Sequence, residues 1–389
     1  MVVPEEGTMP VRLRWSARRN KVRAAARQGR RGKGAVSVPR RARPTVTLHD
    51  VARRAGVSVA TASRVLGDSG RLVGPEYRER VLAAAAELRY VADASARAMR
   101  RGSDAVALLA DDLTTPTIAL VVAAMERAAR AAGSYVTVSS TGGTEEGQLR
   151  AVEVSRALRH RALVLTSGRV DASALGGKLL EALRSYVEDG GRVVMVGDTD
   201  LPFTSIGFDN RGAARTVGRF VAEQGHEHVV ILAGPPGNPA GQERVAGFTE
   251  GLSATSRIRT VACERSRQGG FDAMTGLIGE KERPDVVLGM NDVVAIGALA
   301  ALNSAGVQVP DEVSVVGFDD IPLAADVTPR LTTLALPFGQ VGAEAIARAL
   351  DADGETGRLR VGGRLVVRDS LRLAGRAAPH AFPGGPAAG

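Results

Sequence analysis

The first regular pattern of apolar and polar positions lies in TLHDVARRAGVSVATASRVL, Thr47–Leu66. Apolar residues recur at helical spacing on both sides of Gly56, which indicates two short helices joined by a tight turn. Thr47 and Asp50 have capping-box spacing, and Ser58 is a favoured N-cap for the second helix. Such a pair forms a helix-turn-helix, whose second helix enters the major groove of DNA. A helical hairpin without a DNA partner is the alternative.

A third helix is predicted from Pro75 to Leu88, because proline suits a first helical turn and apolar residues follow at helical spacing. Its predicted apolar face contains Val81, Leu82, Ala85 and Leu88. Three helices of this size close a small module, so residues 45–92 are predicted to form a DNA-binding domain.

Beyond Ser103 the pattern changes to short apolar strands that alternate with helical segments. The predicted strands fall into two series. The first comprises Ala105–Ala110, Tyr135–Ser139, Ala162–Thr166 and Arg192–Val196; the second comprises Ser205–Phe208, His228–Ala233, Ile258–Cys263, Asp285–Met290 and Val313–Phe318. Two such series indicate two doubly wound lobes with a ligand cleft between them. We therefore predict an α/β core over residues 104–372 and a Pro/Gly-rich tail over residues 373–389.

Positive charge is concentrated at the start of the chain, whose net charge is +9. Residues 1–44 carry thirteen Lys or Arg against two acids, and residues 45–103 carry ten Arg against six acids. The leader, residues 1–44, has low complexity and is predicted not to fold alone. It is either a disordered arm or an addition from an upstream start codon, and a non-specific DNA-binding tail is the functional alternative.

Several classes of protein are disfavoured by the sequence. No apolar run approaches the roughly 18 residues of a membrane span, and the leader lacks the apolar stretch of a signal peptide. The one cysteine, Cys263, cannot form an internal disulfide. We expect a cytoplasmic protein with no membrane partner.

The usual sequence motifs of enzymes and cofactor sites give no support for catalysis. The sequence contains no phosphate-binding GxxxxGK[ST] loop, no HExxH and no paired CxxC. His226 and His228 are more typical of a helix end running into a strand than of a metal site. Neighbouring carboxylates such as Asp319 and Asp320 seldom converge like a glycosidase acid and nucleophile. The sequence predicts no enzyme, no metal and no cofactor.

The segment TLHDVARRAGVSVATASRVL resembles the DNA-binding signature of the LacI/GalR family of bacterial transcription regulators at nearly every position. The resemblance implies that Val59 and Ala60 face bases and that Arg64 reads a base. Arginine can grip guanine bidentately, and small apolar side chains can touch a thymine methyl. The predicted DNA-contacting residues of this module are Thr47, Ser58, Val59, Ala60, Thr61, Ser63 and Arg64.

The stretch DASARAMRRG, Asp93–Gly102, resembles the hinge helix of that family. In the family this helix pairs with its dimer mate and wedges an apolar side chain into the minor groove. The resemblance assigns the wedge to Met99 and a further DNA contact to Arg97. Family members usually have Leu at the wedge and Asn at the position of Asp93. Residues 93–103 are thus predicted as a hinge helix, and a plain linker is the alternative.

Three further segments resemble the effector-binding core of the family. LTTLALPFGQVG, Leu331–Gly342, is similar to the return crossing between lobes, which implies discontinuous lobes like those of periplasmic sugar-binding proteins. GQERVAGF, MNDVVAIGAL and GFDDIP place Arg244, Asn291 and Asp319 at the ligand-binding arginine, amide and carboxylate. Such donors and acceptors suit vicinal sugar hydroxyls or a nucleobase edge.

Polar residues also follow other predicted strands, where ligands bind in such sheets. The predicted ligand-binding set is Asp112, Thr115, Thr117, Phe208, Asp209, Arg244, Asn291 and Asp319. Helix capping is the alternative for Asn291 and Asp319, and Asp320 is predicted to cap. The family often has Asn-Pro-Phe-Phe after the first strand, whereas this chain has Thr115-Pro116-Thr117-Ile118, which makes a stacked hexose less secure.

The combined prediction is a three-helix helix-turn-helix domain and hinge helix followed by a periplasmic-binding-protein-like core. It describes a transcriptional repressor that acts as a homodimer on a near-palindromic double-stranded DNA operator. A carbohydrate or nucleoside-like small molecule is expected as the effector. The alternative is a cytoplasmic sugar-binding protein or sugar-active enzyme with an accessory DNA-binding module, which turnover of a sugar would reveal.

Overall fold

The computed structural model describes residues 46–66, 73–91, 103–166, 177–281, 283–351, 354 and 356–374. The chain divides into a helical unit before residue 93 and an α/β unit from that residue onward. The leader, residues 1–44, lies outside the described residues. So do residues 93–102 of the predicted hinge, with Arg97 and Met99, and the tail from residue 375.

The helical unit contains α1 (Leu48–Ala55), α2 (Val59–Leu66) and α3 (Pro75–Glu87). Each helix contributes small or branched apolar side chains to one core, formed by Val51, Ala52, Ala55, Ala62, Val65, Val81, Ala84 and Ala85. The prediction for Leu82 is wrong, because this side chain is 45% exposed and Ala84 lies inward instead. The buried face of α3 is therefore rotated away from Leu82, and small residues form much of its contact with the other helices.

The turn between α1 and α2 is stabilised at both ends. The predicted capping box is present, with the Thr47 backbone N–H donating to Asp50 Oδ2 at 2.9 Å. Gly56 ends α1 with φ +62°, a left-handed conformation that glycine adopts without a Cβ penalty. Ser58 Oγ accepts from the Thr61 N–H at 3.0 Å at the start of α2. Arg80 Nη2 donates to the Ala55 carbonyl at 2.6 Å and so satisfies a terminal group of α1.

The first sheet of the α/β unit is wholly parallel, with strand order β11-β5-β4-β3-β1-β2. Its strands are β1 (Ala105–Ala110), β2 (Tyr135–Ser140), β3 (Ala162–Thr166), β4 (Arg192–Val196), β5 (Thr204–Phe208) and β11 (Arg358–Val361). Helices α4 (Pro116–Ala131) and α12 (Phe338–Leu350) pack on one face, and α5 (Glu145–Ala157) and α6 (Lys178–Glu188) pack on the other. Cover on both faces explains why β1 is apolar at all six positions.

The second sheet has the order β12-β10-β9-β8-β6-β7, and only its edge strand β12 is antiparallel to its neighbour. Its strands are β6 (His228–Ala233), β7 (Arg257–Ala262), β8 (Val286–Gly289), β9 (Ser314–Asp319), β10 (Thr332–Ala335) and β12 (Arg364–Val366). The helices of this lobe are α7 (Asn210–Glu223), α8 (Pro239–Gly251), α9 (Arg267–Gly279), α10 (Asp292–Ser304) and α11 (Leu323–Asp326). The two predicted doubly wound lobes are confirmed.

The chain crosses between the lobes after β5, after β10 and between β11 and β12. Both lobes are therefore discontinuous, as predicted from Leu331–Gly342. The assignment of Ser205–Phe208 to the second series is wrong, because β5 pairs with β4 and β11 in the first sheet. The apolar pattern marks a strand but does not specify its hydrogen-bonded neighbour. None of the described helices combines the length and apolar character that a membrane crossing requires.

Candidate functional site

Both sheets reverse their strand order beside the first strand of the lobe. In the first sheet β1 lies between β2 and β3, and in the second sheet β6 lies between β7 and β8. Ligands of doubly wound proteins bind beyond the carboxyl ends of the strands at such a switch point. Asp111 and Asp112 follow β1 directly, and Asn291 follows β8 after one residue. The topology therefore places predicted ligand residues at this position in each lobe.

Arg244 is the centre of a buried polar cluster in the second lobe. From α8, its Nε donates to Asn210 Oδ1 at 2.9 Å and its Nη1 donates to the Met290 carbonyl at 2.9 Å. Its Nη2 lies 3.0 Å from Asp319 Oδ1, and its guanidinium stacks over the Phe318 ring at 4.1 Å. Every nitrogen of the guanidinium thus has a protein partner, and the fork is held in one orientation.

Asp319 ends β9 with φ +115°, a backbone conformation that residues other than glycine rarely adopt. Its side chain is nearly fully buried. Burial raises the pKa of Asp319, while the guanidinium of Arg244 acts in the opposite direction. Unusual backbone conformations persist where the surroundings over-determine them, and they cluster at ligand sites. The ion pair with Arg244 supplies that constraint here.

Asn291 and Asp292 form the start of α10. Asn291 Oδ1 accepts from the Val294 N–H at 2.9 Å, so the capping alternative for Asn291 is confirmed. Asp292 is fully buried and accepts from Thr333 Oγ1 at 2.5 Å and from the Ile321 N–H at 2.8 Å. Burial raises the pKa of Asp292 to about 8, and the charge of Asp319 adds to this effect. Burial thus disfavours the charged form of Asp292, and the contacts of this carboxyl are structural.

Asp320 has a different partner from the one that the sequence predicts. Its Oδ1 lies 2.7 Å from Arg368 Nη2, and Arg368 also donates to the Leu331 carbonyl at 2.8 Å. Helix α11 has Pro322 at its N-cap and no side-chain cap. The predicted capping role of Asp320 is therefore wrong. Asp319 also pairs with an arginine instead of capping, and both arginines are distant in sequence.

In the first lobe, two carboxylates follow β1. Asp111 Oδ1 accepts from Thr141 Oγ1 at 2.8 Å and from Gln148 Nε2 at 3.1 Å. Asp112 is exposed and accepts from the Thr114 N–H at 2.8 Å and its hydroxyl at 2.7 Å. These hydrogen bonds lower the pKa of Asp112, and the charge of Arg265 lowers it further. Asp112 is thus an ionised carboxylate on the surface of the lobe.

The other predicted ligand residues lie at element boundaries of the α/β unit. Thr115 is the N-cap residue of α4 but makes no side-chain cap, and Thr117 is half-buried in the first turn. Phe208 ends β5 and packs against Phe338 at a ring distance of 5.3 Å. Asp209 Oδ1 accepts from the Gly212 N–H at 3.0 Å and caps α7. Phe208 and Asp209 therefore lie at the first chain crossing and already have protein partners.

Arg265 is a candidate residue that the sequence analysis missed. It lies in the loop between β7 and α9, and its side chain is exposed. Beside the larger effects of hydrogen bonding and burial, its charge acts to lower the pKa of Asp112 in the first lobe and of Asp319 in the second. Because its charge acts on a carboxylate from each lobe, Arg265 is a candidate residue of the cleft. The sequence feature that could have identified Arg265 is its position just after the end of strand β7.

The helical unit exposes part of the predicted DNA-contacting set. Ala60 and Arg64 are exposed on α2, and Ser58 lies exposed at its start. Thr61 and Ser63 are half-buried, and the Thr61 hydroxyl lies 2.8 Å from Ser58 Oγ. Val59 is also half-buried and packs against the core of the unit, so only part of its side chain is open to a partner.

The two neighbouring histidines contact backbone carbonyls. His226 Nε2 lies 3.1 Å from the Arg372 carbonyl oxygen, and His228 Nδ1 lies 3.1 Å from that of Arg283. Burial lowers the pKa of His226. Over the described ranges of the chain, no group of three or more metal-ligating side chains occurs. The contacts of both rings are structural.

A helix-turn-helix unit followed by a two-lobed α/β unit with polar residues at both switch points defines a ligand-responsive DNA-binding regulator as the class. Comparisons with known proteins specify the family. Residues 47–93 match the bacterial regulatory proteins of the lacI family, and residues 219–371 match the periplasmic binding protein-like domain.

The HTH-type transcriptional regulator GalR of Salmonella typhimurium is 31% identical over 317 residues, which cover 79% of this chain and 90% of the relative. The HTH-type transcriptional repressor PurR of Proteus mirabilis is 32% identical over 339 residues, covering 84% of this chain and 96% of the relative. The chain belongs to the LacI family of bacterial transcriptional regulators.

Solved structures agree with this assignment. The structure of the Lac repressor dimer bound to operator and the anti-inducer ONPF has a TM-score of 0.75 and 27% sequence identity. The matched region covers 85% of this chain and 99% of the Lac repressor chain. The transcriptional regulator CelR in complex with cellobiose has a TM-score of 0.60 at 26% identity, covering 84% and 99% of the two chains. These similarities favour a regulator over the alternative of a sugar-active enzyme.

Proposed function

We propose that this protein is a repressor that binds a near-palindromic DNA operator as a homodimer and changes its operator affinity when a small polar effector binds in the core. The observation that carries the proposal is the buried Arg244–Asp319 pair beside Asn291 at the switch point of the second lobe. A helix-turn-helix unit in the same chain provides the DNA-reading part. Because the operator is chromosomal DNA, we place the protein in the cytoplasm.

On the DNA side, we propose that Ala60 and Arg64 contact base edges and that Ser58, Thr61 and Ser63 contact phosphates or base edges. Thr47 is a candidate phosphate contact at the start of α1, and Val59 contributes the exposed part of its side chain. Arg97 and Met99 are proposed as hinge contacts. A two-fold dimer presents two α2 helices to two half-sites, which explains the expected symmetry of the operator.

On the effector side, we propose that the second lobe holds the ligand through Arg244, Asn291 and Asp319. These groups already bond within the protein, so the effector would exchange or extend hydrogen bonds in a preformed site. The first lobe would contribute Asp112, Thr115 and Thr117. Phe208 and Asp209 are proposed contacts at the crossing. Arg265 joins this set, and its positive charge suits an effector that bears an acidic or strongly polar group.

Regulation requires that the effector bind two conformations of the core unequally. A ligand that contacts both lobes favours the arrangement in which both sets of residues reach it. The proposed coupling to operator binding then follows by linkage, with a typical size of about 1–3 kcal/mol.

The DNA proposal is tested by selecting operators from a random duplex library and measuring binding to the selected site and to random duplex. Arg64→Ala should weaken binding to the selected site by about 1–3 kcal/mol, because one bidentate base contact is lost. Arg78→Ala removes the same charge from an exposed position on α3 and is the matched control. Equal losses on selected and random DNA for Arg64→Ala would contradict a base-reading role.

The effector proposal is tested by screening sugars, nucleosides and their acidic derivatives for release or enhancement of operator binding. Asp319→Ala should abolish the response while operator binding is retained. Asp369→Ala is the control, since it removes a carboxylate from an exposed ion pair with Arg330 in the same lobe. A normal response in Asp319→Ala would remove this carboxylate from the proposed site.

A further inference from the structure

A cavity of about 330 Å³ lies between the lobes of the α/β unit. Val293 and Ile296 of α10 line it, together with Ile321 and Leu323 from the segment after β9. Pro116 contributes from the first lobe, at the start of α4. The surface that faces the cavity is almost entirely apolar. We call this space the apolar notch.

The apolar notch shares its structural elements with the proposed effector site. Val293 follows the proposed ligand residue Asn291 by two positions, and the Ile321 N–H donates to Asp292 at 2.8 Å. Pro116 lies between Thr115 and Thr117. A molecule that contacts the polar residues at these strand and helix ends therefore has the notch next to it.

A sugar ring is a poor occupant of the apolar notch. Each hydroxyl placed there would lose its hydrogen bonds to water without gaining a protein partner, which is unfavourable. For an apolar ring, transfer from water into the notch is favourable, because apolar surface is buried. A cavity of about 150 Å³ holds one benzene molecule, so the notch has room for a ring with a substituent. The exposed Arg267 contributes to the lining and can stack its guanidinium on an aromatic face.

We propose that the effector is amphipathic, with a polar part at Arg244, Asn291 and Asp319 and an aromatic ring seated in the apolar notch. This inference deepens the proposed function and rests on it for the polar part. A ring in the notch contacts Pro116 of the first lobe and Ile321 of the second, so it joins the lobes directly. The segment Asp111–Thr117 after β1 offers Thr115 and Thr117 and contains no aromatic residue, which agrees with an effector that brings its own ring.

The notch is tested without knowledge of the polar part. The chain has eight isoleucines, and methyl-labelled isoleucine in the full-length protein gives a sparse spectrum in which Ile296 and Ile321 report on the notch. Titration with phenol should shift these two methyl signals saturably and leave in place the signals of Ile206 and Ile346, which lie on β5 and α12 of the first lobe. Equal shifts at all isoleucines, or none at Ile296 and Ile321, would overturn the proposal.

A filling variant provides the matched control. Val293→Phe adds a ring to the wall of the notch and should weaken phenol binding at least tenfold. Val154→Phe makes the same change on α5, where Val154 is 51% exposed and lies outside the notch, and should leave phenol binding unchanged. An equal affinity of both variants for phenol would contradict binding at the notch.

The amphipathic effector is tested with paired methyl and phenyl β-glycosides of glucose, galactose and ribose. The phenyl member of a binding pair should bind about tenfold or more tightly, because burial of an aromatic ring is worth at least one factor of ten. Val293→Phe should abolish this difference. Equal affinities within a pair would contradict the proposal. Operator binding is measured separately. A protein that binds phenol in the notch but binds no operator would refute the regulator proposal and leave the notch as a ligand subsite.

Discussion

The two lobes present different kinds of polar surface at their switch points. In the second lobe Asp319 is buried and Asp320 is half-buried, and both bond to arginines far away in the sequence, Asp319 to Arg244 and Asp320 to Arg368. In the first lobe Asp112 is exposed, and its hydrogen bonds come from its near neighbour Thr114. The second lobe is thus a preorganised site, whereas the surface of the first lobe can adjust when a ligand arrives.

This difference has an energetic basis. A buried ion pair is strongly attractive in a low dielectric, but removal of one partner leaves an uncompensated charge. An exposed carboxylate keeps much of its hydration, so its hydrogen bonds contribute little to stability. Removal of one partner of the buried Arg244–Asp319 pair in the second lobe should therefore cost folding free energy, and substitutions at the exposed part of the first lobe should leave folding intact.

The largest effect is expected for Arg244→Met. The methionine retains the apolar stem but leaves Asp319 buried without its cation, and we expect a loss of about 3–5 kcal/mol in the free energy of unfolding. Urea unfolding at pH 7 measures this loss. Arg330→Met removes one partner from an exposed pair and should leave the free energy of unfolding nearly unchanged.

A double variant sharpens this comparison. Arg244→Met combined with Asp319→Leu removes both charges, and it should recover most of the stability lost in the single variant. If the single and double variants were equally unstable, the cost would come from packing and the second lobe would not differ from the first through its buried charge.

The second prediction concerns pH. Because burial raises the pKa of Asp292 to about 8, the folded state binds a proton that the unfolded state releases near pH 4. The contribution of this group to stability is full below about pH 4 and is lost as pH rises towards 8, by at most about 1.4 kcal/mol per pH unit. Asp292→Asn, which does not titrate, should lose less stability than the wild type between pH 5 and 8.

Buried histidines act with the opposite sign. Burial lowers the pKa of His160 and His226, so their contributions are lost as pH falls and not as it rises. The difference between the wild-type and Asp292→Asn unfolding curves cancels these shared contributions. Parallel curves for the two proteins between pH 5 and 8 would show that Asp292 does not titrate as described.

The contrast between the lobes also explains what could be predicted from the sequence. The helix caps at Thr47, Ser58 and Asn291 could be predicted from the sequence because each partner lies three residues away along the chain. The capping assignment of Asp320 failed because its partner, Arg368, is 48 residues away and no local pattern specifies it.

Leu82 and strand β5 differ from their predicted places for the same physical reason. Leu82 satisfies the helical pattern as well as Ala84 does, and only packing against α1 and α2 decides which of them is buried. The apolar pattern of strand β5 fits the strands of either lobe, and its pairing with β4 and β11 is a tertiary property. Periodicity thus predicts the existence of elements, while their neighbours depend on contacts that are distant in sequence.

A smaller effect is expected for Asp111→Ala in the first lobe. This carboxylate is half-buried and accepts hydrogen bonds from Thr141 and Gln148, so its removal leaves two donors with fewer partners. We expect a loss of about 1–3 kcal/mol in urea unfolding. A loss as large as that of Arg244→Met would mean that the first lobe is as preorganised as the second.

The smallest effect on folding is expected for Asp112→Ala. Because Asp112 is exposed and its hydrogen bonds come from Thr114, the free energy of unfolding should change by no more than about 1 kcal/mol. Effector affinity should nevertheless fall, since an ionised carboxylate would be lost from the adjustable side of the cleft. Titration with an effector found in the screen, alongside Asp326→Ala as an exposed control in the other lobe, separates the two quantities. A loss of more than about 1 kcal/mol in the free energy of unfolding, with unchanged effector affinity, would show that Asp112 is a structural residue. The proposed difference between a preorganised second lobe and an adjustable first lobe would then not hold for Asp112.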